Sequence, residues 1–422
     1  MLKKHPPLPK SVCLNLFFAR MFNRTKNIRL SVIKQMELAA SRYPDVVSLA
    51  QGIPSFDTPE FIKGRAKNAL ERGVVAKYSL SPGLPELREL IEISLAREGM
   101  FYDWQKEIVI TAGSIEAITA TIFAITEPGQ EIIMLSPTYT SYREVIRLAG
   151  CEPVFVRLDE SKGWTLSLPE FEKAITPKTR AILYCNPNNP TGTIYSKEDL
   201  FAMAELAKKH DLYLISDEVY KDFIYQGDEP LFSLAQLPEL RDRLIRIFSF
   251  SKSHAVTGWR IGYLHSDEKI VKEILKVHDS LVTCAPVISQ YAALGALEMK
   301  DEDLAWYIKE YDKRRELTCR RLDRLPQIFS YVHPEGAYFV LPKINPTVMQ
   351  KYFSEYSHKD WGDDRTDLSW QFALALLDKI QVALVPGIAF GPGGEGHIRI
   401  SFGRSEADIN KAFDRMEKLF TA

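Results

Sequence analysis

The sequence lacks most of the features that announce a function by composition alone. Its 422 residues carry 54 Lys plus Arg against 55 Asp plus Glu, a formal net charge of -1, so the one-signed excess of a nucleic-acid or anionic-membrane binder is absent. No apolar run approaches the roughly 20 residues that cross a bilayer as a helix. Five cysteines, Cys13, Cys151, Cys185, Cys284 and Cys319, are odd in number, scattered and without C-x-x-C spacing. That pattern speaks against a disulfide framework and against a zinc site, and makes a reducing cytoplasm the expected setting. Neither an internal repeat nor a low-complexity tract is present. Acidic residues are missing before Glu37, whereas Lys3, Lys4, Lys10, Arg20, Arg24, Lys26, Arg29 and Lys34 are basic. Such a bias fits an organelle presequence, but Pro6, Pro7 and Pro9 break an amphipathic helix at its start, and the apolar patch Leu14 to Ala19 is short and ends at Arg20. The expectation is a flexible basic tail over residues 1–27, running from about Met21 into an arm over residues 28–60.

What is present is an α/β rhythm. A chain of this length exceeds what one core usually serves, so two units are expected. Apolar strands are predicted at Glu107–Thr111, Glu131–Leu135, Pro153–Val156, Arg180–Tyr184, Leu212–Ser216, Leu244–Ser249 and Ile261–His265. Helical stretches separate most of them, Ser196 to His210 being the best formed, with a serine cap, early acids and late bases. The reading is a mostly parallel seven-stranded sheet flanked by helices, within a large domain over residues 61–300. A charged helix from Asp301 to Arg324 and separated strands at Tyr338–Leu341 and Val382–Val385 mark a smaller α+β domain over residues 301–422, joined by the arm. Strand ends in open α/β folds converge on one edge, where ligands bind.

Several motifs lie at those ends. Ser249-Phe-Ser-Lys-Ser-His-Ala-Val-Thr-Gly-Trp-Arg260 sets Lys252 among small hydroxyls, with an arginine eight positions on. Ser249, Ser251 and Arg260 are the groups that grip an anion, the company needed by a lysine that condenses with a phosphorylated aldehyde. A solvated loop lysine is the plainer alternative. Tyr184-Cys-Asn-Pro-Asn-Asn-Pro-Thr-Gly192 is a rigid turn whose chemistry explains its prolines and glycine better than it explains Asn189. Asp217-Glu-Val-Tyr220 reads as the opening of a helix, where Asp217 and Glu218 serve as caps or Asp217 pairs with a protonated ring nitrogen. Glu107 to Ala117 reads as strand, glycine turn and helix, an anion corner at Gly113, Ser114 and Ile115. His397-Ile-Arg-Ile-Ser-Phe402 alternates, so His397, Arg399 and Ser401 share a face: either a half-exposed strand with a solvated arginine, or a fork for a carboxylate. Gly391-Pro-Gly-Gly-Glu-Gly396 satisfies G-x-G-x-x-G, but a strand follows it rather than a helix. It is read as a mobile loop and not as a dinucleotide fingerprint.

In this order the motifs resemble those of the class I/II aminotransferases that depend on pyridoxal phosphate and share the fold of aspartate aminotransferase, fold type I. The resemblance covers residue 28 to the C-terminus. It implies that Lys252 carries pyridoxal 5'-phosphate, that Asp217 meets the ring nitrogen, and that Asn189 and Tyr220 meet the ring oxygen. Tyr139 would stack on the ring, and Gly113, Ser114, Ile115, Ser249 and Arg260 would hold the phosphate. Gly52 and Arg399, with Asn189, would bind the amino acid, and Tyr78 would reach the phosphate in a neighbouring subunit of a homodimer. The implied reaction moves an α-amino group from an L-amino acid to a 2-oxo acid by ping-pong turnover. A C-S β-lyase on the same fold and a non-catalytic cofactor-binding protein remain alternatives. Some bacterial aspartate-specific relatives place a lysine where this chain has Ile115, and the resemblance sets Ile53 beside Tyr139 and Tyr78 around the substrate. Neutral donors are therefore expected to be preferred over aspartate.

Overall fold

The computed structural model describes residues 25, 28–225, 227, 230–354 and 367–421. The basic tail, with Cys13 and Met21, lies outside the described residues apart from residue 25. After a short strand β1 (Val47–Ser48), the seven apolar runs become β2 (Ile108–Thr111), β3 (Glu131–Ser136), β4 (Glu152–Arg157), β5 (Thr179–Cys185), β6 (Tyr213–Asp217), β7 (Leu244–Ser249) and β8 (Gly262–His265). They form one sheet in the order β2-β8-β7-β6-β5-β3-β4. The pairs from β7 through β6, β5 and β3 to β4 are parallel, and β8 runs antiparallel to both of its neighbours. The sheet is thus mixed, with only β8 reversed.

These strands read as near-continuous apolar runs because both faces are covered. Successive side chains point to opposite faces, so Ile132 and Met134 enter one core with Leu183, Ile215 and Ile247. Ile133 and Leu135 enter the other with Ile182, Leu214 and Phe248. Of the flanking helices, α1 (Ser114–Ile125) follows Gly113, whose φ of 84° is one that glycine adopts without strain. The expected helix after Ser196 is α2 (Lys197–Lys209), and the Ser196 side chain accepts from the Asp199 amide. Next come α3 (Glu268–Val282) and the charged helix α4 (Asp301–Leu322), with acids in its first turn and bases in its last.

Beyond α4 the strands are short: β9 (Phe329–Ser330) pairs with β11 (Lys343–Ile344), while β10 (Phe339–Val340), β14 (Ile398–Ser401) and β13 (Val385–Pro386) form a three-stranded antiparallel sheet. Strand β1 pairs in parallel with β12 (Val382–Ala383), so the N-terminal arm is knitted into the C-terminal third.

Three local expectations need correction. No helix opens at Asp217, which ends β6 and leads into turns; Glu218 therefore caps nothing. The Arg399 strand is buried along its length rather than half exposed. The Gly391–Gly396 segment is no loose loop either. It is packed, with the Gly393 amide donating to Ser136 Oγ at 2.9 Å, and a Cβ on Gly393 would come within 2.5 Å of the Ser136 carbonyl. Its glycines serve close backbone approach.

Candidate active site

All strands of the large sheet except β8 end at the same edge, and the motifs meet there. Ser114 and Ile115 from α1, Tyr139, Asn189, Asp217, Tyr220, Ser249, Lys252 and Arg260 line one cavity. Register explains part of this: Cys185 at the end of β5 sits opposite Asp217 at the end of β6. Gly113 is adjacent, since a Cβ there would come within 2.6 Å of Arg260 Nη2. The Gly52 carbonyl accepts from Lys252 Nζ at 3.2 Å and from the Tyr338 hydroxyl at 2.9 Å. Tyr78, 83% exposed, and Ile53 are not among the residues that line this cavity.

Lys252 Nζ stands 5.8 Å from the Tyr220 ring centroid. Burial, then Arg399 and Arg260, pull its ammonium down to about 8, against the opposing pull of Asp217. A base with that value is available as free amine near neutrality, which an exposed lysine is not. Burial pushes Asp217 up to about 6, although the Tyr142 hydroxyl at 2.5 Å, the Val219 amide and Lys252 favour its ionised form. The two asparagines of the turn divide the work. Asn188 donates within the turn to Thr191 Oγ1 and across to the Pro137 carbonyl, 51 residues away, whereas Asn189 donates to the Tyr220 hydroxyl at 3.2 Å and accepts from Arg399 Nη1 at 3.1 Å.

Arg399 is 1% exposed, and Nη2 donates to the Ala50 carbonyl. Its guanidinium lies 4.4 Å from the Phe339 ring centroid and 4.9 Å from that of Phe390. Among the described residues no carboxylate pairs with it, and Nε has no hydrogen-bond partner. Burial lowers it to about 10. A buried cation with a spare donor is suited to an anionic ligand. At the opposite end, Arg260 is held at φ 54°, a left-handed conformation uncommon for non-glycine residues. Its Nη1 bonds the Thr257 carbonyl and Nη2 the Ala112 carbonyl, which aims the fork across the N-terminus of α1. The Ser249 and Ser251 hydroxyls are 2.9 Å apart. The donor set fits a phosphorylated pyridine: the Arg260 guanidinium and the Ser249 and Ser251 hydroxyls for an anion, the Asp217 carboxylate for a ring nitrogen, and the Asn189 amide and Tyr220 phenol for a ring oxygen.

The sequence model of the family described as aminotransferase class I and II matches residues 44–416. The chain belongs to the class I and II aminotransferases. It is 37% identical over 395 residues to a probable N-acetyl-LL-diaminopimelate aminotransferase of Bacillus subtilis, covering 93% of this chain and 94% of that one. It is 36% identical over 406 residues to an aspartate aminotransferase of Pyrococcus abyssi, covering 94% and 98%. The solved aromatic aminotransferase of Pyrococcus horikoshii superposes with a TM-score of 0.80 at 35% identity, over 92% of this chain and 98% of that one. This aminotransferase therefore has the fold expected from its motifs.

Some neighbours of the site escaped the sequence reading. Tyr142, whose hydroxyl bonds Asp217, comes from a helix 75 residues earlier in the chain. Its spacing of three from Tyr139, placing both in one turn, was the available signal. Glu218 is not a cap but the centre of a buried network. Ser216 and Ser233 hydroxyls donate to Oε1 at 2.8 and 2.6 Å, and Arg246 Nε donates to Oε2 at 2.5 Å. Removing one partner of such a buried pair typically costs about 3–5 kcal/mol, so this network holds the end of β6 in place. A separate cavity, lined among others by Glu98, Lys221, Asp222, Arg246 and Asp312 of α4, holds none of the motif residues.

Proposed function

We propose that this aminotransferase uses pyridoxal 5'-phosphate carried by Lys252 and moves an α-amino group from an L-amino acid to a 2-oxo acid by ping-pong turnover. The supporting observation is that Lys252 lines one cavity together with Asp217 and with the anion donors Ser249, Ser251 and Arg260. When bound, the cofactor supplies an aldehyde that condenses with amines and a ring that draws electrons from the attached carbon. The chain's residues do the rest. Asp217, ionised, keeps the ring nitrogen protonated. Asn189 and Tyr220 donate to the ring oxygen. Arg399 takes the α-carboxylate with its fork, fixing the substrate so that the Cα–H bond faces Lys252, an orientation effect that contributes several kcal/mol in favourable cases. Lys252 Nζ, free once the substrate amine has taken its place, would take and hold the proton from Cα.

The segment 61–300 is read as the cofactor-holding unit, and 28–60 with 301–422 as the unit that supplies Gly52 and Arg399. A second copy of the chain supplies Tyr78 to the phosphate. Incubating purified protein with the cofactor, pooled amino acids and 2-oxoglutarate tests the reaction: glutamate formation dependent on one or more donors is expected. Pyruvate and ammonia released without any oxo acid would instead point to C-S lyase chemistry.

Arg260→Ala should weaken cofactor binding by roughly 10–100-fold, since charge-assisted hydrogen bonds contribute about 1.5–3 kcal/mol. Equilibrium dialysis of the cofactor reads it, and unchanged affinity would remove Arg260 from the phosphate site. For the donor, Ile115 lines the cavity and brings no charge, so a second carboxylate would be left unpaired in a closed site. Neutral donors such as methionine, leucine, phenylalanine or glutamine should show higher kcat/KM than aspartate. The relatives pull both ways, one being an aspartate and another an aromatic aminotransferase. Steady-state kinetics with a fixed acceptor decides it: aspartate exceeding every neutral donor sinks the preference and leaves the reaction standing.

A further inference from the structure

His278 of α3 is fully buried, and both of its ring nitrogens face oxygen. Nδ1 is 3.0 Å from Glu116 Oε1 and Nε2 is 3.0 Å from the Ser81 carbonyl. A neutral imidazole has one N–H and one lone pair. In either tautomer a lone pair would confront an oxygen at hydrogen-bonding distance. The His278–Glu116 pair is satisfied only if it holds one proton more than neutral imidazole plus carboxylate. Wherever that proton sits, the pair then has no net charge.

The location gives this neutrality a purpose. Glu116 belongs to the first turn of α1, and its Oε2 accepts from the Ala112 amide at 3.1 Å. That turn begins at the Gly113–Ser114 corner, across which Arg260 lies. Helix N-termini attract anions through free amides and the helix dipole. A bare carboxylate there would occupy the same field and repel a second anion, with little solvent to screen it, as the Glu116 side chain is only 10% exposed. Asp279 on α3 accepts from Ser81 Oγ at 2.7 Å and so steadies the segment that carries Tyr78, while Arg260 Nη2 bonds the carbonyl of the same Ala112 whose amide donates to Glu116.

We infer that His278 is a positioning residue that neutralises Glu116, and that this lets the N-terminus of α1 accept the phosphate dianion of the cofactor. The inference rests on the reading of the site as a pyridoxal-phosphate site. Its readout is binding to cofactor-free protein, prepared by dialysis and titrated at low salt with pyridoxal phosphate, with inorganic phosphate and with pyridoxal. His278→Gln should weaken pyridoxal phosphate and inorganic phosphate roughly tenfold, while pyridoxal, which lacks the anion, binds as before. Adding Glu116→Gln in the same chain should restore phosphate affinity to within about threefold of the parent, because the unpaired carboxylate is gone. Equal weakening of pyridoxal, or a double variant no better than the single, would overturn the inference and leave His278 a packing residue. Should His278→Gln not fold, Glu116→Gln alone carries the test: parent-like phosphate affinity is expected, and a tenfold loss contradicts it. A parent protein that binds no pyridoxal phosphate would instead overturn the cofactor reading itself.

Discussion

Lys252→Ala should lose transamination by roughly four orders of magnitude or more, because in the proposed reaction one group serves both as the amine that carries the cofactor and as the base at Cα. The loss should appear in kcat, and the absorbance of the lysine-bound cofactor should vanish with it. Lys252 suits this role because burial, Arg399 and Arg260 bring its ammonium down to about 8, so that about a tenth is free amine at neutral pH. Activity within tenfold of the parent would move the chemistry to another residue.

Asp217→Asn should keep the cofactor but lose turnover by about two to three orders of magnitude. Asparagine can hydrogen-bond the ring nitrogen yet cannot hold it protonated, and the ring then withdraws electrons poorly. The structure adds a reason. In the cofactor-free protein burial raises Asp217 from 3.8 to about 6, so between those values the folded state binds more protons than the unfolded one and loses stability as pH rises. In the proposed complex a protonated ring nitrogen paired with Asp217 would offset that cost, so cofactor binding and ionised Asp217 would support each other. Near-parental kcat in Asp217→Asn, with cofactor bound, would show that the carboxylate is structural only. Helix capping no longer competes as its explanation, since β6 ends at Asp217 without a helix after it.

The sheet was legible because its strands are buried on both faces: continuous apolar runs such as Leu244–Ser249 fix their own position, and β7 has those bounds in the structure. Local chemistry marked the Gly113 corner and the Ser196 cap for the same reason, each depending on a few adjacent residues. The turn at Asp217 was misread because acids followed by an apolar residue look alike at a helix start and at a strand end facing a cavity. Glu218 shows why: its partners Arg246 and Ser233 are 28 and 15 residues away, and only the fold brings them together. The same holds for Tyr142 on Asp217 and for the packed glycines near Ser136. Motif spacing carried the cavity residues, whereas what tunes them comes from distant segments and required the fold.

The most direct test of the account is borohydride reduction of the cofactor-loaded protein followed by peptide mass mapping. The account predicts a single pyridoxyl-phosphate adduct, on the peptide that contains Lys252. An adduct on another lysine, or none on a protein that still transaminates, would contradict it.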